Sequence, residues 1–161
     1  MYSDLIYDPN IKLEYEKFGK LKSNLKYLIG IPTVAREKES YITDTIDSIF
    51  EQQSFRNYQV AIMVFIGGGN QKYFTELSNE FGNKYKNQIE AGLLQIVAIK
   101  IEYYPDYLKT GIGSKESLKL LWGDDMKRTL WRTKQALDYI YLWKIAGDFE
   151  TLKRVILVII L

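Results

Sequence analysis

The sequence predicts an α/β fold, a mostly parallel sheet flanked by helices, and three observations carry that expectation. Apolar, β-branched runs recur at residues 27–33, 59–66, 93–101 and 154–161. Stretches with helical period separate them. The runs are almost continuously apolar rather than alternating, as expected of strands covered on both faces. Strands alternating with helices define parallel βαβ units with right-handed crossovers.

Each element has a local justification. Residues 1–25 are polar and mixed and read as an N-terminal surface segment, with a short helix over 11–18. Tyr27-Leu28-Ile29-Gly30-Ile31-Pro32-Thr33 reads as a buried strand closed by Pro32, which cannot donate to a ladder. Over 39–53, Ile42, Ile46, Ile49 and Phe50 fall on one helical face, with Ser40 placed to cap it. The strand at 59–66 is broken by Gly67-Gly68-Gly69-Asn70, and a second amphipathic helix follows over 71–87, with Phe74, Leu77 and Phe81 on one side. After the third strand an irregular stretch runs over 102–123. Asp124 or Asp125 then caps a long helix reaching Ala146, whose buried stripe is Met126, Leu130, Leu137, Ile140 and Tyr141. A last apolar strand occupies 154–161.

The totals exclude several chemistries. A chain of 161 residues suits one domain. Its 22 basic and 20 acidic residues leave a net charge of +2 with no long basic run, so no nucleic-acid footprint is present. There is no histidine and no cysteine. That rules out a Ser-His-Asp triad, a His-ligated zinc, a disulfide framework and a redox thiol within this chain. No run approaches the roughly 20 apolar residues of a membrane span, and the first ten residues do not read as a signal peptide.

In open α/β sheets ligands bind beyond the carboxyl ends of the strands. Here those ends are residues 33–36, 67–70 and 103–106. The triple glycine lacks the G-x-G-x-x-G spacing and the lysine of a phosphate loop. It reads first as a strand-to-helix turn, with a phosphate cradle as the alternative. Arg36 stands either as an exposed arginine or as a guanidinium placed for a diphosphate. Asp124-Asp125 reads as a helix cap before a metal pair. Arg128 and Arg132 share a helical face, as do Lys134 and Asp138.

Five blocks in order carry a family resemblance. They are Ile29-Gly30-Ile31-Pro32-Thr33-Val34-x-Arg36 with Ser40-Tyr41; Val64-Phe65-Ile66-Gly67; Ile89-x-x-Gly92-Leu93; Tyr103-Tyr104-Pro105-Asp106; and Trp131-Arg132-Thr133-Lys134-Gln135-x-Leu137-Asp138-Tyr139. Over about residues 26–143 the chain resembles the N-acetylglucosaminyltransferase IV family (glycosyltransferase family 54).

The resemblance implies a GT-A fold, with residues 26–161 as a partial GT-A domain, its nucleotide-sugar-binding half. It implies transfer of N-acetylglucosamine from UDP-N-acetylglucosamine to a mannose of an N-glycan core, forming a β1,4 branch with inversion. A manganese-dependent Golgi enzyme with an N-terminal membrane anchor is implied as well. It places Pro32, Thr33 and Arg36 in the donor loop, with Gly67 at the end of the second strand. It also puts Tyr103, Tyr104 and Asp106 at the third strand's end, and Arg132, Lys134 and Asp138 on the helix flanking the nucleotide. The family's acidic metal-binding triplet does not follow the last strand here, and no catalytic base is assigned. The expectation is therefore a chain without metal-dependent transfer of its own; the alternative is a nucleotide-sugar-binding module without catalysis.

Overall fold

The computed structural model describes residues 12–36, 41–52, 59–110, 125–148 and 154–157. Five strands form one sheet: β1 (Tyr15–Phe18), β2 (Tyr27–Thr33), β3 (Val60–Ile66), β4 (Leu94–Ile99) and β5 (Arg154–Leu157), in spatial order β1-β4-β3-β2-β5. The last four of these in space are parallel, and β1 closes the β4 edge antiparallel, Tyr15 opposite Ile99. The expected α/β architecture with a mostly parallel sheet and flanking helices is what the chain adopts.

Both faces of the sheet are covered, and side chains alternate between two cores. Ala61, Met63 and Phe65 of β3 point into one, with Val97 and Ile99 of β4. Val60, Ile62, Val64 and Ile66 point into the other, with Leu94, Ile96 and Ala98. All seven residues of β3 are buried, which is why its sequence shows no alternation.

The second core is covered by helices α1 (Ile42–Glu51) and α2 (Gln71–Lys84). Ile42 and Ile46 of α1 and Phe74, Leu77 and Phe81 of α2 are buried there. Asn70 caps α2, its Oδ1 accepting from the Tyr73 N–H at 3.0 Å. The helix expected over 71–87 breaks at Tyr85 and restarts as α3 (Lys86–Glu90). A short helix α4 (Asp106–Thr110) lies within the stretch expected to be irregular.

The first core is covered by the long helix α5 (Met126–Gly147). Asp125 caps it, accepting from the Arg128 N–H at 2.7 Å. Leu130, Leu137 and Tyr141 are buried as expected, but Ile140 is exposed and Asp138 takes an inward place instead. The helix face is rotated toward Asp138 by the polar contacts described below. Helix α5 lies against β2, where Gly30 leaves room: a Cβ at Gly30 would stand 3.0 Å from the Leu142 Cδ2.

The N-terminal segment differs from expectation. Residues 15–18 form a strand rather than part of a helix over 11–18. Residues 12–25 are not merely surface, since Leu13, Leu21 and Leu25 are buried in the first core. The backbone of β1 takes up the open edge of β4, and the three leucines close the end of that core. Such pairing overrides a weak local helical pattern. The proposed caps Ser40 and Asp124, and residues 158–161 of the last expected strand, lie outside the described residues.

Gly30→Val would overpack the α5–β2 contact and destabilise the chain by about 1–3 kcal/mol. A thermal melt should show a drop of several degrees. Gly147→Ala, at a position with no atom within 4 Å of the added Cβ, should leave the melt within about a degree of wild type.

Candidate functional site: a cleft at the strand ends

Following the chain from β2, the sheet grows first through β3 and β4 on one side, then α5 carries the chain back to β5 on the other side of β2. Beside the carboxyl end of β2 the connections leave in opposite directions, and such a switch point opens a crevice. A cleft of about 170 Å³ lies there. Pro32, Thr33, Val34 and Arg36 form the wall from β2, and Tyr41 and Ile42 that from the start of α1. Helix α5 supplies Trp131, Lys134, Gln135, Asp138 and Tyr139.

The cleft is held open by one polar knot. Asp138 is 4% exposed. Its Oδ1 accepts from the Gly68 N–H at 3.1 Å and from the Tyr104 hydroxyl. The same Gly68 N–H also reaches the Tyr104 oxygen at 2.9 Å. One carboxylate thus ties α5 to the turn after β3 and to the segment after β4. The turn needs glycine for this approach. Gly68 adopts φ +73°, and a Cβ at Gly67 would stand 2.4 Å from Asp138 Oδ2. Tyr104 is braced edge-on by Tyr141, with ring centres 5.5 Å apart. Tyr141 in turn donates to the Tyr103 carbonyl at 2.5 Å.

Electrostatics follow from burial. Desolvation pushes the Asp138 carboxyl up to about 6, against lowering by the Tyr104 and Gly68 hydrogen bonds and the charge of Lys134. Tyr104 is also raised, first by burial and then by the Asp138 charge, so it stays a hydroxyl donor. The Lys134 ammonium lies 5.6 Å from the centre of the Tyr104 ring. Arg36 is exposed and lies 5.6 Å from the Tyr41 ring centre, so both cations border aromatic faces.

The sequence-derived site residues divide into two groups. Pro32, Thr33, Arg36, Lys134 and Asp138 line the cleft. Gly67 backs onto Asp138, and Tyr104 is bonded to it. Arg36, Gly67 and Tyr104 therefore gather on one side of the sheet end.

Tyr103, Asp106 and Arg132 are not among the lining residues. The Tyr103 hydroxyl accepts from the Glu14 N–H at 2.9 Å, held by the N-terminal segment. The Asp106 carboxylate accepts from Lys109 at 2.9 Å at the solvent-facing start of α4, with its side chain 93% exposed. Arg132 is exposed and sits about 100° round the helix from Trp131, off the face that lines the cleft. Trp131, Gln135, Tyr139, Tyr41, Val34 and Ile42 line the cleft without having been singled out as site residues. The signal for Trp131 was present: it shares a helical face with Lys134 and Asp138 at spacings of three and seven.

A divalent metal does not fit the described residues. Asp138 is the one carboxylate among the lining residues, and no group of three or more metal-ligating side chains occurs among the described residues. Any such ion would draw its ligands from elsewhere. No described helix is long and apolar enough to cross a membrane.

The described residues thus form an α/β domain with a mostly parallel sheet and a crevice at its switch point, walled by two cations and several aromatics. Residues 7–152 match the family model described as the MGAT4 conserved region, and the chain belongs to that family. It is 33% identical over 125 residues to alpha-1,3-mannosyl-glycoprotein 4-beta-N-acetylglucosaminyltransferase B of Danio rerio, covering 77% of this chain and 21% of that protein. It is equally 33% identical over 125 residues to the A enzyme of Gallus gallus, covering 77% of this chain and 22% of that one. Against the A enzyme of Mus musculus it is 32% identical over 133 residues, covering 82% and 23%. The chain thus spans about a fifth of the length of these curated relatives. No solved structure matches it.

Two outcomes test the knot. Tyr104→Phe removes the hydroxyl that bridges Gly68 and Asp138, and should cost about 1.5–3 kcal/mol in a denaturant melt. The second concerns pH. An unfolded aspartate titrates near ~3.9, below the folded Asp138 carboxyl. Between roughly pH 4 and 6 the folded chain therefore keeps a proton that the unfolded chain releases. The stabilisation from Asp138 is complete below about pH 4 and is lost as pH rises through about 6, on the order of 3 kcal/mol in all. Melts of wild type and Asp138→Asn compared across that range should diverge in slope; parallel curves would show that the carboxyl is not shifted.

Proposed function

We propose that the cleft binds the UDP part of UDP-N-acetylglucosamine, so that this chain supplies the donor side of a GT-A site. That site would transfer N-acetylglucosamine to a mannose of an N-glycan core, β1,4 and with inversion, in the Golgi. The names of the relatives support the reaction class. The observation that carries the binding reading is the cleft itself. It lies at the switch point, with Arg36 from the β2 loop and Lys134 from α5 on two of its walls. A diphosphate carries the charge those cations complement. Trp131, Tyr41 and Tyr139 offer flat apolar surface to a base or sugar ring.

The size of the cleft sets the scope of the proposal. At about 170 Å³ it is smaller than the ~300–1,000 Å³ of sites that enclose a drug-sized ligand. It fits a portion of the donor, and the described residues serve to bind and orient that portion. In the proposed reaction this lowers the entropic cost of bringing donor and acceptor together.

Ligand-dependent melting tests the reading. UDP should raise the melting temperature by mass action, corresponding to about 2.7 kcal/mol at a hundredfold excess over Kd. Lys134→Ala and Arg36→Ala should each weaken UDP binding about tenfold or more while shifting the melt of the free protein little. A cooperative melt that millimolar UDP leaves unmoved would contradict donor binding. Loss of stability equal to loss of binding would mark either cation as structural.

A further inference from the structure

Among the described residues, two polar atoms beside the cleft have no hydrogen-bond partner. Asp138 Oδ1 takes both of that side chain's hydrogen bonds, from Gly68 and Tyr104. Oδ2 accepts none from the described residues. It stands where Gly67 lacks a Cβ, and a Cβ built there would also meet Val34 of the cleft wall at 3.0 Å. Tyr139, the next residue along α5, lines the same cleft. Its hydroxyl is buried without a hydrogen-bond partner among the described residues, and the Asp138 charge acts on it. A buried hydroxyl left unpaired costs free energy, and native structures leave few such groups without a reason.

These atoms are chemically complementary as a pair. A carboxylate oxygen only accepts, while a tyrosine hydroxyl can donate. We propose that Asp138 Oδ2 and the Tyr139 hydroxyl form a specificity-determining end of the cleft, taking a ligand group that presents a donor and an acceptor on neighbouring atoms. This inference rests on the donor-binding reading and names the end of the ligand that enters first. Two parts of a uridine nucleotide carry that chemistry: the imide edge of the base, and the vicinal hydroxyls of the ribose. Both are neutral. That end therefore reads hydrogen-bonding pattern, while Arg36 and Lys134 meet the charge.

Tyr139→Phe is the discriminating variant, because the hydroxyl it removes bonds to none of the described residues. The free protein should melt at the wild-type temperature or slightly above, and UDP should bind about tenfold more weakly by calorimetry. Repeating the comparison with the 2′,3′-dideoxy analogue of UDP separates the two sources. If the Tyr139 effect disappears with the analogue, the hydroxyls are the group bound; if it persists, the base edge is.

Unchanged affinity of Tyr139→Phe for UDP, with wild type binding normally, would overturn the inference and leave donor binding standing. Absence of UDP binding by wild type would overturn both. If Tyr139→Phe fails to melt cooperatively, the wild-type chain reads the same end through the ligand, with UDP compared against its 2′,3′-dideoxy and its N3-methyl analogues. One of the two analogues should bind about tenfold more weakly than UDP, and equal affinity for all three would overturn the assignment.

Discussion

The described structure depends on Asp138, the one buried carboxylate among the described residues. Asp138 reaches residues 70 and 34 positions away in the chain through its bonds to Gly68 and Tyr104. In doing so it fixes the turn after β3 and the segment after β4 against α5. Burying a carboxyl is costly, and the raised Asp138 pKa registers that cost. The hydrogen bonds that offset it are made only when all three segments are in place. The knot therefore acts as a register: the strand-end loops occupy one relative arrangement, and the cleft has one shape.

The glycines are the structural counterpart of that carboxylate. At Gly67 and Gly68 the backbone comes so close to Asp138 and Lys134 that a Cβ would collide with their side chains. Gly30 does the same for the packing of Leu142 on β2. Helix α5 is thus seated at two levels: by apolar contact over the middle of the sheet, and by polar contact at its carboxyl edge. A long helix held so can present Trp131, Lys134 and Asp138 along one line with little freedom, which suits a binding wall.

Much of this was legible in the sequence, for identifiable reasons. Strands β3 and β4 announce themselves because a strand buried on both faces is apolar nearly throughout, and β2 is legible from its apolar run although only part of it is fully buried. The start of α5 was readable because Asp125 in front of a helical run has one favourable use. Strand β1 was not legible. It is four residues long, pairs on one side only, and has an intermediate-exposed-exposed-intermediate burial pattern that leaves no period. Among site residues, Lys134 and Asp138 were found through their helical spacing and block. Tyr103 shared a block with Tyr104, yet adjacent residues point in different directions, and only one of the two rings faces the knot. The burial of Asp138 was hidden from any local pattern, because its partners are distant in sequence.

The chain shares its family with transferases roughly three and a half times its length, and its described residues set the walls of the cleft in one arrangement. That claim stands on the Gly68 amide, the hydrogen through which the β3 turn is fastened to Tyr104 and Asp138. Native-state hydrogen exchange at that amide is the most direct test. The account predicts protection of at least about a hundredfold relative to an unstructured glycine, since a fastened amide exchanges only when the knot opens. Exchange at the unstructured rate, in a chain whose β3 amides remain protected, would show that the turn is free and that no carboxylate holds the cleft together.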